Sequence, residues 1–174
     1  MIPAHLDETK IKTMKQMYES NKGEMNLFVI RDIAAKQKDG LDMVLQELSE
    51  HYKILFTKAV PWHFRWFKAH KMRGGKWKRG GKPALSVIVF DPAPITVNSA
   101  SDDTLTHPLV FNARQFFKPA FREKFSATYK TKPKLNPLHS TDNEYEAQEH
   151  LPLLFSSEDI KKIYALCKSE RCKL

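Results

Sequence analysis

Apolar positions recur along this chain with two periods, and the alternation between them predicts the elements. Ile11, Met14 and Met17-Tyr18 fall at helical spacing from Asp7 to Ser20, with Asp7 available as a cap and Asn21-Lys22-Gly23 as a stop. Met25 to Ile30 is a short apolar run with turn residues before it, the mark of a buried strand. Gln37-Lys38-Asp39-Gly40 opens a second helix, with Leu41, Val44, Leu45 and Leu48 on one face and an end near Tyr52. Tyr52 to Val60 alternates like a strand. Pro61 starts a short aromatic helix over Trp62 to Lys71, and Ala84 to Phe90 is the strongest strand of all.

The second half is less regular. Asp91 to Thr106 is rich in Pro, Ser and Asp and reads as loop, with a weak helix around Leu105 to Phe111. Asn112 to Lys134 is basic and aromatic without clean periodicity, which predicts a long ordered loop. Asn136 to His139 forms a short strand. Ser140, Thr141 and Asp142 offer caps for a helix from about Asn143 to His150, and Ser156 to Asp159 cap a last helix through Leu166. This order of elements is best satisfied by an α+β fold: a ferredoxin-like four-stranded antiparallel sheet with helices on one face.

Composition narrows the class. The 174 residues are 41% hydrophobic, enough for one compact domain with a core. No apolar run approaches the roughly 18 residues needed to span a bilayer, so no membrane partner is expected. The N-terminus, MIPAHLDETKIK, lacks the basic and apolar regions of a signal peptide. Cys167 and Cys172 lie too close together for a disulfide framework and have no flanking metal ligands. A cytoplasmic, disulfide-free protein is the expectation.

A net charge of +9 implies an anionic partner, for which nucleotide, nucleic acid and acidic protein all qualify. Much of the excess lies between His70 and Lys82, a Gly-rich basic loop. It is either an ordinary solvated loop or a contact surface. It is no P-loop, because Gly75 and Gly80 lack the following Lys-Ser/Thr pair. His139 stands where a strand stops and a helix N-terminus begins, an address suited to an imidazole that meets phosphate, although an ordinary turn residue sits there equally well.

The segment Asn136-Pro137-Leu138-His139-Ser140-Thr141-Asp142, then Ala147, then Leu151-Pro152-Leu153-Leu154-Phe155, resembles the active-site segment of nucleoside diphosphate kinases, N-x-x-H-G-S-D followed by an alanine and I-x-L-W-F. Lys118-Pro119-Ala120-Phe121-Arg122 is similar to that family's K-P-G-T-I-R. The resemblance runs from about Met25 to Ile160. It divides the chain into an N-terminal helical extension, residues 1–24, and a kinase-like domain, residues 25–174.

The resemblance implies a ferredoxin-like fold and transfer of a γ-phosphoryl group from a nucleoside triphosphate (ATP or GTP), with Mg²⁺, through a phosphohistidine at His139. It implies that Arg122 holds phosphates, that Asn136 reaches the sugar and that Thr141 keeps the hydroxyl of the family's serine. Arg31 stands near the family's first-strand lysine. Phe64, Trp66 or Phe67 would clamp the base, though such aromatics are as readily core, and Arg122 as readily a surface cation. A homo-oligomer is implied as well.

The departures are specific. At the family's histidine-orienting glutamate this chain has His150, with Glu146 and Glu149 nearby as substitutes. Arginine at 31 presents its donors differently from lysine. Two alternatives therefore stand beside the phosphotransferase: a non-catalytic nucleotide-binding module of the same fold, and a nucleic-acid-binding protein using the basic loop and Trp77.

Overall fold

The computed structural model describes residues 8–61, 69–72, 77–97, 106–132 and 135–174. The expected helix over Trp62 to Lys71 falls mostly outside these residues, as do Phe64, Trp66 and Phe67.

Four strands form one antiparallel sheet: β1 (Glu24–Arg31), β2 (Lys53–Ala59), β3 (Pro83–Asp91) and β4 (Leu138–Ser140). Their order is β2-β3-β1-β4, with every neighbouring pair antiparallel, which is the ferredoxin-like α+β arrangement. The helices are α1 (Glu8–Ser20), α2 (Asp32–Ala35), α3 (Gly40–His51), α4 (Lys118–Tyr129), α5 (Glu144–Leu154) and α6 (Ser157–Arg171).

Helices cover both faces of the sheet, not one. Successive side chains of a strand point to opposite faces. Met25, Leu27 and Val29 pack with Leu151 and Leu154 of α5 and Ile163 and Cys167 of α6. Phe28 and Ile30 pack instead with Val44 and Leu48 of α3 and Phe121 and Phe125 of α4. The mostly apolar run of β1, buried at every position, follows from this, since a central strand covered on both sides has no solvent face.

The predicted loop over Asn112 to Lys134 is corrected by the structure: a 3₁₀ turn, Ala113–Phe117, leads directly into α4. Phe117, Phe121, Phe125 and Tyr129 recur every four residues, and their rings meet in series at centroid distances of 6.5, 6.2 and 4.7 Å. That stripe is a helical signal. It is masked by the basic residues on the other faces and by Pro119, which is tolerated here because it lies in the first turn. Residues 107–111, expected to be weakly helical, carry turns instead. Helix α5 runs past His150 to Leu154 with Pro152 in its last turn, and α6 continues to Arg171.

Behind β1 lies a buried acidic knot. Asn112 Nδ2 donates to Glu24 Oε2 at 2.9 Å and to Asp91 Oδ2 at 2.8 Å, and Arg114 Nε reaches the same Asp91 oxygen at 2.8 Å. Burial, opposed by the hydrogen bond from Asn112, pushes the Glu24 carboxyl up to about 8. The folded chain therefore keeps a proton that the unfolded chain releases above its ordinary carboxylate range. Glu24 thus makes stability fall as pH rises from that range to about 8, by up to ~1.4 kcal/mol per pH unit. Glu24→Gln is expected to flatten this slope, so that the variant gains on the native chain between pH 5 and pH 8. Urea midpoints at the two pH values check this, and parallel shifts would contradict it.

Candidate active site

The free edge of β4 and the N-terminal turn of α4 face one cleft of about 360 Å³. Arg31, Arg79, Lys118 and Arg122 line it with His139, Ser140, Gln115 and Asn136, and among the described residues Asp142 is its one carboxylate. Four cations against one acidic side chain make it a place for an anion.

Each wall has a local cause. A bulge in the β1–β3 pairing at Ile30/Arg31 re-aims the end of β1, and Arg31 N donates to Pro137 O at 2.9 Å. The Arg31 side chain is 1% exposed, with its guanidinium 4.8 Å from the centre of the Trp77 ring. Burial, with Arg122 nearby, lowers its pKa to about 10. Burial also lowers that of Arg122, whose Nε donates to Asn136 Oδ1 at 3.0 Å. The same oxygen accepts from Leu138 N at 3.2 Å, so Asn136 ties α4 to the start of β4.

The end of the basic Gly-rich loop is built into this wall. Trp77–Arg79 forms a 3₁₀ turn. Gly80 O accepts from Ile33 N, Lys82 O from Asp32 N, and Arg79 O from Asn136 N. The loop thereby joins the end of β1 to the approach to β4. Trp77 meets the His139 ring edge-on, with centroids 6.1 Å apart and planes at 74°. With Arg31 over it and the core against it, Trp77 is turned into the protein.

The sequence-predicted residues separate into three groups. Arg31, Arg122, Asn136 and His139 come together at the cleft. Thr141 does not line it: the side chain is 1% exposed, and its Oγ1 accepts from Leu27 N at 3.2 Å. His150 is 6% exposed on α5, also outside the cleft lining. Of its suggested substitutes, Glu149 pairs with Lys10 at 2.7 Å, while Glu146 Oε2 accepts from Asp142 N at 2.7 Å. Phe64 and Phe67 lie outside the described residues.

The cap of α5 also differs from expectation. Asn143 Oδ1 accepts from Glu146 N at 2.9 Å, while the Ser140 and Thr141 hydroxyls serve the α4 turn and β1.

Sequence reasoning missed Lys118, Gln115 and Arg79 as site residues. Lys118 and Arg122 lie four apart, one turn on a helix face, but that relation exists only once residues 118–129 are known to be helical.

No protein-family model matches the chain, and no curated protein does. Among solved structures it is similar to the nucleoside diphosphate kinase of Aquifex aeolicus, with a TM-score of 0.43 and 14% identity. The match covers 78% of this chain and 97% of that one.

Proposed function

We propose that the chain is a divergent nucleotide phosphotransferase in which His139 carries a γ-phosphoryl group between a nucleoside triphosphate and a nucleoside diphosphate or related acceptor. The carrying observation is the meeting of His139 with Arg31, Arg79, Lys118 and Arg122 in one cleft. An imidazole nitrogen attacks the γ-phosphorus, the bond from that phosphorus to the bridging oxygen breaks, and the diphosphate leaves with the electron pair. An acceptor oxygen then attacks the phosphohistidine, loses its proton and frees the imidazole. Splitting the transfer lets donor and acceptor use one site in turn. The cations absorb charge spread over the phosphoryl oxygens, the main task in such chemistry.

Among the described residues no three His, Cys, Asp or Glu side chains group as a metal cage. Asp142 is the single cleft carboxylate among the described residues, which suits a Mg²⁺ held mostly by phosphate oxygens and water. When bound, that ion supplies charge neutralisation on the phosphates.

Incubation with γ-labelled ATP or GTP is expected to leave acid-labile, alkali-stable label on His139. Absence of label with any nucleoside triphosphate would sink the phosphotransferase.

A second reading, a nucleotide-binding module without turnover, is favoured by one observation: α5 carries a buried imidazole at His150 where the family resemblance implies a carboxylate. It predicts that nucleotide raises the melting temperature with no label. The nucleic-acid reading is disfavoured by the inward packing of Trp77, whose ring face is covered by Arg31.

A further inference from the structure

The Lys118 ammonium is an unusual cation among those of the cleft. It donates to Ser140 Oγ at 2.6 Å and to Gln115 Oε1 at 3.0 Å, both neutral acceptors. It makes no ion pair with a carboxylate among the described residues; Asp142, Glu146 and Glu24 act on it only at longer range, and Arg122 opposes them. An ammonium has three donors, so one remains for a ligand.

The acceptors are held in place. Gln115 is fully buried, and its Nε2 donates to Asn26 Oδ1 at 2.8 Å and to Thr141 O at 3.1 Å. That fixes the amide with Oε1 toward Lys118. Ser140 Oγ also donates to Gln115 Oε1, at 3.0 Å, which leaves its lone pairs for the ammonium. Every polar atom in this chain of contacts is therefore oriented to receive the lysine as a charged donor.

Such a network is costly to leave with an uncompensated positive charge. Desolvation accordingly lowers the Lys118 pKa to about 8. The cleft beside it holds Arg79, Arg122 and His139.

We infer that Lys118, held by Ser140 and Gln115, is a binding residue for a phosphate oxyanion of the ligand in the His139 cleft. Arg31 is buried against Trp77, so Lys118 supplies the compact point charge there. The inference rests on the nucleotide reading for the identity of the ligand, but it requires only that a phosphate oxyanion binds.

The test is competitive acetylation of the whole chain from pH 7 to 10, read at Lys118 by mass spectrometry. It is run alone and with inorganic phosphate, tripolyphosphate, ATP or adenosine, alongside calorimetric titration of the same ligands. Tripolyphosphate and ATP are expected to protect Lys118 and raise its apparent pKa, and adenosine to do neither. Protection by ATP alone identifies a nucleotide site, while protection by tripolyphosphate or phosphate alone identifies a general phosphate site; either supports the assignment. Lys118→Met is expected to weaken binding at least tenfold, with Lys118→Arg retaining part of the affinity. Should His139 take no label while Lys118 is still protected, the phosphotransferase fails and this assignment stands. Binding that leaves Lys118 labelling unchanged, or no binding of any phosphate at millimolar concentration, overturns it.

Discussion

His139→Ala is expected to abolish the labelled intermediate and to lower nucleotide-dependent phosphoryl transfer by about 10⁴-fold or more, the scale on which removing a covalent nucleophile acts. Nucleotide affinity is expected to stay within about threefold, because the cations of the cleft come from other elements: Arg31 ends β1, Arg79 lies in the basic loop, and Lys118 and Arg122 sit on α4. The fold should tolerate the change. His139 is half-buried in a three-residue edge strand whose pairing with Val29 is through the backbone. Steady-state transfer rates, set beside calorimetric dissociation constants, separate the two effects. A variant retaining a tenth of the native rate would remove His139 from the chemistry. One that loses affinity and rate together would make it a binding residue.

Gly80→Ala is expected to cost about 1–3 kcal/mol of stability, as overpacking does, and to weaken nucleotide binding at least tenfold. A Cβ at position 80 would lie 2.0 Å from Asn136 O and 2.9 Å from Arg31 Cδ. The first contact is with backbone, which cannot swing aside. The loop cannot retreat freely either, because Gly80 O accepts from Ile33 N and Arg79 O from Asn136 N. Relief must therefore move Asn136, with it the partner of Arg122, and the stem of Arg31. Lys78→Ala, on the exposed side of the same turn, serves as the control and should change neither quantity appreciably. Denaturant midpoints and titrations of both variants check this. Native values for Gly80→Ala would mean that the loop is not coupled to the cleft.

Both expectations depend on residues whose roles were unequally visible before folding. The cleft histidine, His139, was legible because a local signal carries it: a strand end, a helix start and the spacing from Asn136 to Phe155 all lie within one short stretch. The helix α4 was not. Its stripe from Phe117 to Tyr129 is regular, yet the lysines and arginines between the aromatics obscure a moment that only the covered face of the sheet explains. As a loop, that segment gives Lys118 and Arg122 no common face. Thr141 differs in another way: its hydroxyl suggested a role in the cleft, and in the fold it accepts from the β1 amide of Leu27.

The sequence by itself determined the strands, because a central strand needs a largely apolar run and β1 and β3 each supply one, interrupted within Met25 to Ile30 only by Asn26 and within Ala84 to Phe90 only by Ser86. It also determined the electrostatic bias of the surface, since an excess of nine positive charges favours anions whatever the fold. Only the tertiary structure decided which cations meet. Arg31, Arg79 and the α4 pair Lys118 and Arg122 are far apart in the chain and carry no spacing signal between the three segments. They converge because the bulge at Arg31, the hydrogen bonds of the Gly80 turn and the packing of α4 on the sheet bring three separate segments to one open edge. Pairing across long loops is governed by backbone geometry and by burial, and neither leaves a periodic trace in the residues it joins.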